Sequence, residues 1–120
     1  MITKPSKEKQ IEPILKGTSC ELFEECVPQE EWPKYSYKDI FQITKAEIKE
    51  YIEKRYRLDD LVPSVRREGV FALKENDGHR LYYMEYGRAM DQGYAKNDEE
   101  LFVLFIDFLT RTSGTGLKFE

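Results

Sequence analysis

The chain has 120 residues, of which 35% are charged, 40% hydrophobic and 13% aromatic, and its formal net charge is −4. No apolar run reaches the roughly 18 residues that a membrane-spanning helix needs, and Met1-Ile2-Thr3-Lys4-Pro5-Ser6-Lys7 is polar where a secretory leader is apolar, so neither a membrane nor a secreted role is expected. Nineteen Lys and Arg against 23 Asp and Glu leave no basic excess for neutralising phosphates, which argues against direct nucleic-acid binding.

This length predicts one domain over residues 1–120, able to bury about 65% of its unfolded surface without metal or disulfide staples. Residues 1–10 are charged and expected to fray. Ile11, Ile14 and Leu15 fall at helical spacing, with Ser6 as a cap and Gly17 as a stop, although Pro13 interrupts the window. Leu22, Phe23, Cys26 and Val27 predict a second short helix. Pro28 and Pro33 bracket a loop carrying Trp32, the only tryptophan. Tyr35, Tyr37, Phe41 and Ile43 recur at even spacing, which predicts a strand.

Thr44-Lys45-Ala46-Glu47 has the form of a capping box. Ile48, Tyr51, Ile52 and Tyr56 then place an apolar stripe along a helix of about residues 45–57. Runs 69–74 and 79–86 predict a hairpin about an Asp77-Gly78 turn of type I′. That turn sets Glu75 opposite Arg80, Leu73 opposite Tyr82 and Phe71 opposite Met84. Gly87 to Asn97 reads as an irregular excursion. Asn97 caps a helix of about 98–112 that opens on Asp98-Glu99-Glu100, favourable at the positive end of its dipole. Leu101 to Ile106 is wholly apolar, so this helix is expected to be buried on most sides, and a homodimer through it stays open. Leu117-Lys118-Phe119 is a candidate last strand. The predicted fold is therefore α+β: an antiparallel sheet centred on the 69–86 hairpin, with helices 45–57 and 98–112 packed on it.

The chemistry is sparse. The single His79 lies beside a turn, with no local nucleophile or acid to work with. Ser113-Gly114-Thr115-Gly116 follows a helix instead of opening one, so it stops the helix and does not cradle a phosphate. Glu85 among Tyr82, Tyr83, Met84 and Tyr86 is the one carboxylate that burial could turn into a general acid, and an outward position is the simpler account. Cys20 and Cys26 form no secreted disulfide framework and, with one histidine, no zinc site, so they read as reduced thiols of a cytoplasmic protein. No catalytic residue, metal or cofactor is expected.

Charge and aromatics carry more. Glu21 to Glu31 holds five acidic residues and no basic one, and Asp91, Asp98, Glu99, Glu100 and Asp107 form a second acidic cluster. Solvated surface is the simple account of both; a docking face for a basic partner is the sharper one. Basic residues at Lys54-Arg55, Arg57 and Arg66-Arg67 are interleaved with acids and make no phosphate track. Eight tyrosines exceed what a core requires, and Tyr and Trp are enriched at interface hot spots. Core packing is the competing use.

Leu61-Val62-Pro63 through Arg67-Glu68-Gly69, Tyr83-Met84-Glu85-Tyr86-Gly87 and Asn97-Asp98-Glu99-Glu100-Leu101 resemble segments of the bacterial immunity proteins of contact-dependent growth inhibition and polymorphic toxin systems. The resemblance implies binding without turnover: neutralisation of a cognate toxin domain, often a basic nuclease, by covering its active site or substrate surface. On that reading Glu24, Glu25, Glu30, Glu31 and Trp32, with Asp91, Tyr94, Asp98 and Glu99, form the partner surface. No functional residue of the family carries over by motif. Two alternatives are a small enzyme acting through Glu85 and a distant partner, and a regulatory adaptor or phage-encoded inhibitor.

Overall fold

The computed structural model describes residues 2–64 and 68–120. The Arg66-Arg67 pair noted in the sequence lies outside the described residues. Helices combine with one three-stranded antiparallel sheet, the expected α+β class. The chain gathers into two compact units, Met1–Tyr51 with Leu109–Glu120, and Ile52–Phe108.

In the first unit, α1 (Lys7–Lys16) starts where Ser6 Oγ accepts a hydrogen bond from the Lys9 amide and ends at Gly17, left-handed with φ 74°. Gly17 donates to the Pro13 carbonyl, which satisfies one of the orphan acceptors of the last turn. Hydrogen bonds link the segment before α1, and α1 itself, to other parts of the unit. Thr3 N donates to the Cys26 carbonyl at 2.9 Å. Gln10 is buried, with Nε2 donating to Pro5 O at 3.0 Å and Oε1 accepting from Gln42 N at 2.7 Å. A polar side chain that satisfies two backbone groups can be buried at little penalty, and nothing in its sequence neighbourhood signals that.

Next, α2 (Ser19–Cys26) buries Leu22 and Cys26, as its spacing predicts. The Trp32 loop is wound into a 3-10 helix, Gln29–Lys34. The strand predicted from Tyr35 to Ile43 is corrected: Tyr37–Ile40 is a short helix, α3. Ser36 and Asp39 form a capping box over its start, with the Ser36 amide donating to Asp39 Oδ2 at 2.8 Å. Even spacing of aromatics fits a strand, but the cap satisfies backbone donors locally and wins. The box predicted for α4 (Lys45–Arg55) is present in both directions. Thr44 N donates to Glu47 Oε1, and Glu47 N donates to Thr44 Oγ1, each at 3.1 Å. Leu117–Phe119 joins no ladder. Instead Phe119 is buried, its ring edge-on to Phe41 at 6.5 Å, and its carbonyl accepts from Lys45 N.

In the second unit, α5 (Leu58–Leu61) precedes strands β1 (Gly69–Glu75), β2 (Gly78–Glu85) and β3 (Arg88–Ala95) in the order β1-β2-β3. The hairpin exists where predicted, but its register is corrected: Glu75 pairs with Gly78, Leu73 with Arg80 and Phe71 with Tyr82. The loop is Asn76-Asp77, and Asn76 takes the positive φ of 55°. Moving the loop by one residue shifts each pairing by two, and because strand side chains alternate with period two the apolar face survives intact. The turn with two positive φ angles is instead Tyr86-Gly87, at 51° and 75°. It leads into β3, a strand where the sequence suggested an irregular excursion.

Beyond it, α6 (Asp98–Arg111) starts at Asn97, whose Oδ1 accepts from Glu100 N at 2.9 Å. Leu101, Phe102, Phe105, Ile106, Phe108 and Leu109 are buried, as an all-round apolar helix requires. It lies on one face of the sheet. Phe108 meets Tyr83 at 5.0 Å between ring centroids, and Leu104 sits so close to Gly93 that a Cβ there would meet it at 3.2 Å. The opposite face carries Phe71, Leu73, Arg80 and Tyr82, with Phe71 stacked on Tyr82 at 5.4 Å.

Candidate functional site

The sequence residues nominated for a partner surface fall in both units. Glu24 and Glu25 are exposed on α2; Glu30 is exposed and Glu31 half-buried on the 3-10 helix. Trp32 is half-buried and donates its indole N–H to Val27 O at 2.8 Å, so its one polar group is already engaged. Cys20 is exposed and Cys26 buried, and neither is disulfide-bonded. Burial holds the Cys26 thiol above its usual range, with Glu25 adding to the effect.

Glu25 belongs to a groove of about 410 Å³ along the α1–α2 seam. The two helices bury Ile11, Ile14, Leu22 and Cys26, which leaves their glutamates at the rim. Glu8 and Glu12 come from α1, Glu21 and Glu25 from α2, Lys9 lines the groove with them, and Tyr51 adds an aromatic wall. Each helix contributes its pair at i and i+4, the spacing that puts both side chains on one face. Carboxylates gathered on one concave surface suit a cationic partner more than an anionic one. The sequence flagged the 21–31 half of this groove. Glu8 and Glu12 were missed because only helix pairing joins them to it.

In the second unit, Asp91 and Tyr94 share one face of the sheet although they are three residues apart. In a regular strand that spacing puts them on opposite faces. A bulge does the rest: Asp91 pairs with Tyr82 but Gly93 with Leu81, leaving Gln92 as an extra residue. Asp91 Oδ1 closes the bulge by accepting from Gly93 N at 2.8 Å. Arg80 exploits the arrangement. Its guanidinium bonds Glu75 through Nε (2.7 Å) and Nη2 (3.1 Å), Asp91 through Nη1 (2.9 Å), and lies 5.7 Å from the Tyr94 ring centroid. Arg80 was not nominated from sequence; its place between two carboxylates follows from the register.

The hydrogen bond from Arg80 holds Glu75 below the usual carboxylate range. Hydrogen bonding from Lys7 does the same to Glu47, aided by the Thr44 amide. A carboxylate whose folded value is depressed contributes stability above its unfolded value, about 4.3 for glutamate, and loses that contribution as pH falls through the folded value. Acid titration of unfolding stability should therefore show a decline below about pH 4.3, and Glu75→Gln should shrink it. An unchanged acid limb in that variant would remove Glu75 from the account.

Asp98 and Glu99 are exposed in the first turn of α6. Glu85 is exposed at the end of β2, paired with Arg88, which is the outward position and not the buried setting that a general acid needs. His79 is half-buried on β2 and lines a cavity of about 330 Å³ together with Asp59, Ser64 and Asp98. Among the described residues no group of three or more His, Cys, Asp or Glu could hold a metal ion. Among the same residues no helix is long and apolar enough to cross a membrane.

Comparison with protein-family models, with curated proteins and with solved structures finds no match. The site's own chemistry carries the functional reading.

Proposed function

We propose that this chain is a non-catalytic binding protein that neutralises a cognate bacterial toxin domain, in the manner of the immunity proteins it resembles, by laying an acidic and aromatic surface over a basic one. The partner that fits best is a basic nuclease domain. The observation that carries this reading is the α1–α2 groove, where Glu8, Glu12, Glu21 and Glu25 converge with Tyr51 beside them. The exposed Glu24 and Glu30 extend the same charge beyond the groove. Charge of one sign on a concave surface speeds encounter with an oppositely charged partner, and burial of aromatics slows release.

The test begins with a tagged pull-down from the source cells at low and moderate salt, with mass spectrometry of what co-elutes. A stoichiometric basic toxin domain is the expected result. Reversing Glu21, Glu24 and Glu25 to lysine together should then weaken its binding at least about tenfold, roughly 1.4 kcal/mol, and flatten the dependence of affinity on salt. Circular dichroism confirms that the variant is folded. Unchanged affinity in a folded variant sinks the placement on α2, and a partner whose bound surface is acidic sinks the reading as a whole.

A further inference from the structure

We infer that the cavity bounded by α5, β2 and the start of α6 binds an alkyl chain ending in a guanidinium or ammonium group. The inference stands on this cavity alone and does not rest on the toxin-neutralising reading. The space, about 330 Å³, is at the lower end of the range of small-ligand sites, roughly 300–1,000 Å³. It is amphipathic in a specific way. Val62 and Leu101, both buried, supply an apolar floor, while Asp59, Ser64, His79 and Asp98 stand at its polar side.

Three elements distant in sequence bring these groups together. Asp59 lies on α5, His79 is the second residue of β2, and Asp98 opens α6. None of the four polar side chains makes a hydrogen bond or ion pair to another of the described residues. Asp98 is not occupied as the cap of α6 either, since Asn97 performs that role. The hydrogen-bonding inventory is therefore weighted toward acceptors. Two carboxylates accept only, while serine and a neutral imidazole can each accept as well as donate.

A ligand complementary to this rim brings several donors, a positive charge and an apolar stem. Guanidinium, with five N–H donors in a planar fork, meets that description best, and an alkylammonium meets it with three. An anion would face the carboxylates of Asp59 and Asp98. A purely apolar ligand would desolvate them without replacing their hydrogen bonds. The same chemistry has two sources, a free amine or an arginine or lysine side chain presented by another protein.

The experiment is an amide-resonance titration of the whole chain with n-butylguanidinium, with n-butyrate as the control of opposite charge. Saturable shifts centred on Ala72, His79 and Leu101 with the cation, and none with butyrate, are expected. Asp59→Asn with Asp98→Asn should weaken binding about tenfold for each carboxylate removed, with the rest of the spectrum unchanged. N-acetyl-arginine-N-methylamide and spermidine separate the sources. A capped arginine that binds as tightly as butylguanidinium points to a protein side chain, and binding of spermidine with exclusion of the capped residue points to a free amine. Absence of saturable shifts, or equal affinity in the double asparagine variant, overturns the assignment.

Discussion

Gly78→Ala should lower the unfolding free energy by about 3 kcal/mol or more, the upper range for overpacking. Gly78 is not needed for its backbone angles, since it occupies an ordinary strand position paired with Glu75. It is needed for space. A Cβ at this position would lie 2.0 Å from the Ala95 carbonyl oxygen and 2.7 Å from the Tyr94 hydroxyl. The hydroxyl can swing away, but the carbonyl belongs to the adjacent strand and can move only if β3 moves with it. Gly87→Ala is the natural comparison. Its Cβ would meet nothing within 4 Å, so only the left-handed φ is charged, about 1 kcal/mol. Urea unfolding of both variants reads the difference. A loss at Gly78 no larger than at Gly87 would mean that β3 does not approach the first hairpin as described.

The second large effect is at the centre of the sheet. Leu81 is 0% exposed and stands in the middle strand, opposite Ala72 on one side and Gly93 on the other. Ala72 and Gly93 offer little or no side chain to fill a vacated volume, so much of the cavity left by Leu81→Ala stays open. The expected cost is about 3–5 kcal/mol, toward the upper part of the range for buried leucine truncations. Leu73→Ala supplies the contrast. Leu73 is 45% exposed, on the face of the sheet turned away from α6, and should lose under about 1 kcal/mol. Equal losses at the two positions would show that the sheet faces are assigned the wrong way round.

Where the sequence could be read, the reason was local chemistry. The Thr44–Glu47 box and the Asn97 cap are written within four residues, and both are made as spelled. The hairpin was legible as two apolar runs about a polar break. Its register was not, because Gly78 looked like a turn residue and is a strand residue selected by contact with Ala95. Strand β3 was hidden for a related reason. Its residues Arg88 to Asp91 are exposed, so they lack the apolar alternation that betrays a half-buried strand. Tyr37–Ile40 misled in the other direction, with strand-like spacing overruled by the Ser36–Asp39 cap.

The candidate sites divide in the same way. The acidic run 21–31 is a property of composition and could be seen at once. Its α1 half, Glu8 and Glu12, becomes part of one groove only when the helices pair. Asp59, His79 and Asp98 lie about twenty residues apart from one to the next, and only the fold lines them along one cavity. No spacing rule links a one-turn helix, a strand and a helix start.

The bulge at Gln92 has a consequence for how copies of this chain behave in solution. β3 is an edge strand, and a straight edge offers its row of unpaired amides and carbonyls to any passing chain. Here an incoming strand would find a regular ladder only from Arg88 to Asp91 before the extra residue breaks the spacing. Four residues with a charge at each end make a poor template for edge-to-edge growth. The same irregularity that gathers Asp91 and Tyr94 under Arg80 thus makes the β3 edge a poor template for growth.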